Sequence, residues 1–395
     1  MNSLAGTEPA EFAFDQVDLG HLRRRHSMKW RAYPADVLPA WVAEMDFAVA
    51  PPIAEAVRES LARGGDFGYA VDLVAPELSE AFSGFAARRW GWAVDPDRVI
   101  LLRDVMRGVE LWIEGFTRPG DGVVVTSPVY YPFLDATRTT GRRLVEVPMV
   151  RGTGRWELDL AGLDAAFAAG NKLLLLCNPH NPVGRVYTEA ELRAVAELTQ
   201  RHNVRVVSDE IHAPLVLPPA RHVPFASLGP EIEARTLTLH SATKAWGMAG
   251  LHTAVALVGD PADDAWLRSL TYRHRGAAGI LGIDTSVAAF NQGEPWLDAL
   301  LAHLGQVLDH LGKQLSERLP DVEWIPPEGT YLAWLDCRAL GLEPSPQQVF
   351  LRRGKVALND GATFGRTGAG FVRLNFGTSR AVVTETVSRM AMCVQ

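Results

Sequence analysis

Cysteine is scarce in this sequence. Among 395 residues there are three, Cys177, Cys337 and Cys393, far apart and in no CxxC or paired His/Cys spacing. That argues against a disulfide framework and against structural zinc, and no metal site is expected. Long apolar runs are missing too: none approaches the roughly 20 residues that cross a bilayer. The opening stretch MNSLAGTEPAEFAFDQVDLG has neither the charged start nor the apolar middle of a secretory leader, so a cytoplasmic protein is expected. A basic excess is also lacking. The 39 Lys and Arg against 46 Asp and Glu give a net charge of −7, which leaves no global attraction to nucleic acid or to an anionic membrane. One basic run, HLRRRHSMKW (21–30), breaks that balance and reads as a solvated surface patch. Repeats and low-complexity tracts are absent.

What is present is ordinary globular material, 47% apolar and 22% charged, long enough for two or three domains. Seven short buried strands are expected at RVILL (98–102), GVVVTSP (122–128), RLVEVPM (143–149), KLLLLCNP (172–179), VRVVSDE (204–210), TLTLHS (236–241) and TAVALVG (253–259). Helical stretches such as EAELRAVAELTQRHN (189–203) separate several of them. Strand–helix alternation predicts an α/β fold, a mostly parallel seven-stranded sheet with helices on both faces. Ligands bind such sheets at the carboxyl ends of the strands. Here the residues after the strands are polar and turn-forming: SPVYYP, NPHNPVG, SDEIH and HSATK. From about residue 285 the pattern changes to a long helix (294–320) followed by GTYLAWLD (329–336) and GFVRLNFG (370–377). The expected division is a large domain over 46–284 and a smaller α+β domain from 1–45 and 285–395.

Within HSATKAWGMAGL (240–251), Lys244 sits at a strand end among small residues, with no acidic neighbour in sequence. Asn181 in NPHNPVG, Asp209 in SDEIH and Lys244 in SATK would line one sheet edge, in that order. With these motifs the chain resembles the fold-type I pyridoxal phosphate (PLP) enzymes, the class I/II aminotransferase superfamily, from AWVAEMDF (40–47) to FVRLNFGTSR (371–380). The resemblance implies that Lys244 forms a Schiff base with the cofactor aldehyde, a task suited to an amine that burial keeps neutral. It implies that Asp209 keeps the pyridine nitrogen protonated, Asn181 donates to the ring O3′ and Tyr130 stacks on the ring. Ser241 and Thr243, with the backbone amides of Val105 and Met106, are the candidates for the phosphate. A tyrosine at the position of Tyr69 reaches the phosphate from a second subunit in such enzymes, implying a homodimer with shared active sites. Arg373 matches the arginine that grips the substrate carboxylate, with Ala43 beside it as a substrate contact. The glycine cluster GATFGRTGAGF (361–371) does not follow a strand and open a helix, so it reads as a loop leading into the Arg373 strand.

PAWVAEMDF, FGYA (67–70), SPVYYPF, SDEIH and GTYLAWLD are similar to the MalY/PatB group of cystathionine β-lyases, or C–S lyases. In that group His212 takes a place near O3′ that is often tyrosine in aminotransferases, and His252 replaces an arginine that often binds phosphate. The implied reaction is α,β-elimination on cystathionine or a cysteine S-conjugate, giving a thiol, pyruvate and ammonia. RDVMRG (103–108) departs from the group's small apolar turn. Asp104 beside a phosphate would be unfavourable if it pointed inward, with Arg103 or Arg107 compensating or binding substrate, and a tailoring enzyme acting on a bulky conjugate is one expectation. The alternatives are an aminotransferase or decarboxylation-coupled deaminase of the same fold, and a PLP-binding regulatory protein.

Overall fold

Runs of valine and leucine with no polar alternation make strands that are buried on both faces. A computed structural model describes residues 12–65, 68–70 and 75–394. All seven expected strands form one sheet: β1 Val99–Leu102, β2 Gly122–Ser127, β3 Arg143–Pro148, β4 Leu173–Cys177, β5 Arg205–Asp209, β6 Thr236–His240 and β7 Ala254–Val258. Their spatial order is β1-β7-β6-β5-β4-β2-β3. The pairings among β2 to β6 are parallel. β7 runs antiparallel to both of its neighbours.

Register places the strand ends side by side, with Cys177 opposite Asp209 and Asp209 opposite Leu239. Helix α1, Val105–Phe116, follows β1 directly and lies against the sheet. It packs so closely that a Cβ on Gly108 would come within 2.5 Å of Leu239 Cδ2. Helix α2, Glu189–Arg201, starts with a capping box between Thr188 and Glu191.

A second sheet holds β8 Glu323–Trp324, β9 Leu332–Asp336, β10 Asn359–Asp360 and β11 Phe371–Asn375, in the order β8-β9-β11-β10. Helices α3, Glu294–Arg318, and α4, Arg380–Ala391, pack on each other beside it. Leu38 and Pro39 pair in parallel with Val356 and Ala357 as a separate two-stranded sheet, which ties the N-terminal stretch to the C-terminal part of the chain. That pairing supports our proposed division into 46–284 against 1–45 with 285–395. The largest apolar core cluster nonetheless runs through both units, from Phe82 and Trp246 to Leu300 and Leu332.

The basic run near the N-terminus departs from expectation in part. Lys29 is buried and pairs with Asp46 at 2.8 Å, both side chains 1% exposed. Arg25 donates to the carbonyls of Asp46 and Phe47, each at 3.2 Å. Arg25 and Lys29 are therefore structural, because the carbonyls of the following irregular segment need donors, while His21, Arg23, Arg24 and His26 stay exposed as a solvated patch.

Candidate active site

Parallel strands β4, β5 and β6 end together, so the turns after them converge on one place. Asp209 is the last residue of β5, while Asn181 and Lys244 each lie four residues past β4 and β6. Together with Ala43, Tyr130, His212, Thr243, His252 and the first turn of α1, they line a cavity of about 280 Å³.

Lys244 forms no ion pair among the described residues; its Nζ donates to the Ala43 carbonyl at 3.0 Å. Burial lowers its pKa to about 8, and the Arg373 charge pushes the same way, against smaller pulls from Glu44 and Asp209. Burial also raises Asp209 to about 7, while a hydrogen bond from the Ile211 amide at 3.0 Å favours the carboxylate. Asp209 likewise has no ion-pair partner among the described residues, so it is a buried carboxylate facing a cavity without its cation. His212 is buried and held neutral, its pKa lowered to about 3 by burial and by the positive charges of Lys244 and Arg373. Its Nδ1 is buried without a hydrogen-bond partner.

Arg373, on β11, is the complementary case. Its guanidinium donates to Asn181 Oδ1 at 2.9 Å, the Trp41 carbonyl at 2.9 Å and Asn359 Oδ1 at 2.5 Å. Burial pulls it down to about 10, and no carboxylate neutralises it among the described residues. A buried cation served only by neutral acceptors is a receptor for an anion. Because Arg373 takes the Asn181 oxygen, the amide nitrogen of Asn181 is left as a donor. Burial pushes the Tyr130 phenol well up, so it stays neutral.

At the first turn of α1, the Asp104 side chain caps the helix by accepting from the Arg107 amide at 2.8 Å. Its other oxygen pairs with Arg103 Nε at 2.8 Å. Arg107 is held by the His274 carbonyl at 2.6 Å and by Glu110 at 2.8 Å. The amides of Val105 and Met106 precede the capped position, where helix N–H groups have no intrahelical acceptor. Thr243 joins them on the cavity wall, and so does His252, which adopts left-handed backbone geometry at φ 47°.

Three expected site residues are not on the cavity wall: Arg373, which meets it through Asn181, and two that lie elsewhere. Ser241 is absent from the cavity wall: its hydroxyl donates to the Thr253 carbonyl at 2.6 Å and accepts from the Thr243 amide at 3.1 Å, closing the turn. Tyr69 is 91% exposed and does not reach this chain's own cavity. The adjacent Phe67 of the FGYA motif lies outside the described residues. Three cavity-side contributors carry no sequence mark that singles them out. Tyr331 donates to the Ala43 carbonyl at 3.0 Å and packs edge-on against His212. Asn375 donates to the carbonyls of Val42 and Glu44, both at 2.7 Å. Cys177 lines the floor of the cavity.

The donor set fits PLP. It offers an amine that is easily neutral, a buried carboxylate lacking its cation, an orphaned imidazole nitrogen, two free helix amides beside a hydroxyl, and an anion receptor.

Comparison with known proteins agrees with this geometry. The sequence profile described as "Aminotransferase class I and II" matches residues 42–390. Cystathionine beta-lyase of Corynebacterium glutamicum is 37% identical over 377 residues, covering 95% of this chain and 98% of that protein. Cystathionine beta-lyase PatB of Bacillus subtilis (strain 168) is 35% identical over 358 residues, covering 90% of this chain and 92% of that one. Among solved structures, the PLP-bound C-S lyase from Staphylococcus hominis has a TM-score of 0.90 at 25% identity, over 97% of this chain and 98% of that one.

Proposed function

Because this chain belongs to the class I and II aminotransferase family, we propose that it is a PLP-dependent carbon–sulfur β-lyase. It has the fold of the fold-type I PLP enzymes. The substrate is cystathionine or a cysteine S-conjugate, and one water and one substrate give a thiol, pyruvate and ammonia. The observation that carries this reading is the unneutralised Arg373 guanidinium, bonded to Asn181 on the cavity wall, set against the easily deprotonated Lys244 amine on that same wall.

When bound, PLP supplies an electrophilic aldehyde and an electron-withdrawing ring. Asp209 would hold the positive charge of the ring nitrogen, Asn181 would donate to the ring oxygen, and Tyr130 would cover the ring. The amides of Val105 and Met106, with the Thr243 hydroxyl, would hold the phosphate. Arg373 orients the substrate carboxylate. Lys244 removes the proton from Cα at its Nζ, and the Ala43 carbonyl receives the resulting ammonium. The β-sulfur leaves as a thiolate, which at a thiol pKa of about 8.5 needs no strong acid.

Three further elements belong to the proposal. A homodimer is supported by the exposed Tyr69, which a second copy would bring to the site. A cytoplasmic location suits three free cysteines. A tailoring role on a bulky conjugate rests on the composition of residues 103–108. There the structure pairs Arg103 with Asp104 and Arg107 with Glu110, which supports compensation rather than substrate contact.

The test is incubation of the yellow protein with a panel of S-conjugates. Pyruvate and free thiol without a keto-acid acceptor are expected. A strict need for an acceptor would make it an aminotransferase, and carbon dioxide release a decarboxylating enzyme. Cystathionine turned over as well as any larger conjugate would end the tailoring reading.

A further inference from the structure

The segment between Trp41 and Phe47 has no regular structure, yet side chains from four separate parts of the chain serve its carbonyl oxygens. Trp41 O accepts from Arg373, Val42 O from Asn375, and Ala43 O from both Lys244 and Tyr331. Glu44 O accepts from Asn375 and from Lys29, the latter at 2.9 Å. Among the described residues, this strap is the link in the hydrogen-bond network that touches both the carboxylate receptor and the reactive lysine.

At its far end lies the buried pair. Lys29 Nζ reaches the Asp46 Oδ1 at 2.8 Å and the Glu44 carbonyl at 2.9 Å, so one ammonium clamps two points that flank Met45. Trp30 Nε1 donates to the same Asp46 oxygen at 3.0 Å. Asn375 clamps the other side of Ala43, at Val42 and Glu44. A buried ion pair contributes little net stability relative to apolar residues of the same volume, so what it adds here is position.

We propose that Lys29 and Asp46 are positioning residues for the reaction: their pair fixes the strap so that the Ala43 carbonyl receives the Lys244 amine whenever that amine is free. This rests on the lyase reading, in which Lys244 is the base. Neither residue lines the cavity. Each acts through the peptide oxygens that it and its partner hold in place.

The groups facing Lys244 are Asp209 at the end of β5, Glu44 on the strap, Arg373 on β11, His212 after β5 and Tyr331 before β9. All remain in variants of the pair, so a change in Lys244 reports the strap. Two variants are made in the full-length chain: the apolar double replacement Lys29→Met with Asp46→Leu, and the isosteric Asp46→Asn. Each is freed of cofactor and labelled with trinitrobenzenesulfonate across pH, with labelling at residue 244 read by peptide mass. Wild-type labelling should have its midpoint near the value of about 8. Loss of the carbonyl acceptor disfavours the ammonium, so the midpoint should fall by about one pH unit in the double variant and by less in Asp46→Asn. With cofactor restored, kcat should drop about tenfold while KM stays within about twofold, because the base is misplaced and the carboxylate receptor is not. Lys29→Arg, which keeps charge and donors, should restore the midpoint.

An unchanged midpoint in either folded variant overturns the proposal, and so does a parallel loss of KM and cofactor binding. If the double variant does not fold, Asp46→Asn decides alone. A wild-type protein that releases no thiol from any S-conjugate would overturn the lyase reading instead, and the labelling midpoint would still answer for the strap.

Discussion

Lys244, Asp209 and Arg373 are each placed where burial opposes their charge, and each prediction at this scale follows from that. Replacing Lys244 with Ala should abolish the visible band of the holoprotein and prevent borohydride from fixing cofactor at residue 244. Asp209 has its folded pKa raised from 3.8 to about 7. The carboxylate therefore costs stability that is absent at pH values below 3.8, grows between 3.8 and 7, and is complete above 7. In the cofactor-free chain, Asp209→Asn should thus raise the unfolding temperature at pH 8 and not at pH 3.5. The difference should be on the order of 4 kcal/mol, read by calorimetry at the two pH values. In the holoprotein the same change should slow α-proton exchange severely. That Lys244, Asp209 and Asn181 meet in one cavity was legible because the strand ends bring them together. Tyr331 was not: it meets Ala43 across 288 residues, and a hydrogen bond to a backbone carbonyl leaves no mark on the partner's identity. Ser241 was read as a phosphate ligand for its hydroxyl, which the turn before Lys244 consumes.

At the scale of elements, the seven strands and the long helix were visible as buried runs and a 3.6-residue stripe. The antiparallel direction of β7 was not, since an apolar run has no polarity of its own. The departure at RDVMRG is resolved by the helix it begins. Asp104 is the N-cap of α1, the role for which a short acidic side chain is favoured. Asp104→Ala should lower stability by about 1 kcal/mol, while Asp104→Asn should preserve it, as urea unfolding would show. Gly108 is required by the close seat of α1 on Leu239, so Gly108→Val should cost about 1–3 kcal/mol in the same assay.

For the whole molecule, the exposed Tyr69 sets the decisive measurement. If a second copy completes the site, inactive Tyr69→Ala and Lys244→Ala chains should recover activity when unfolded and refolded together. Random pairing predicts roughly a quarter of wild-type activity, because half of the dimers carry one intact site. The two-sheet organisation was legible as a change of pattern near residue 285. That one apolar cluster runs through both units was not, since periodicity shows which face of an element is apolar and says nothing about its partner.

The strap also bears on how this protein can change over generations. Its acceptors are main-chain oxygens, which every amino acid supplies identically. The side chain at position 43 can therefore be enlarged, shrunk or branched by mutation, reshaping the space above the reactive amine, while the oxygen that Lys244 depends on is inherited intact.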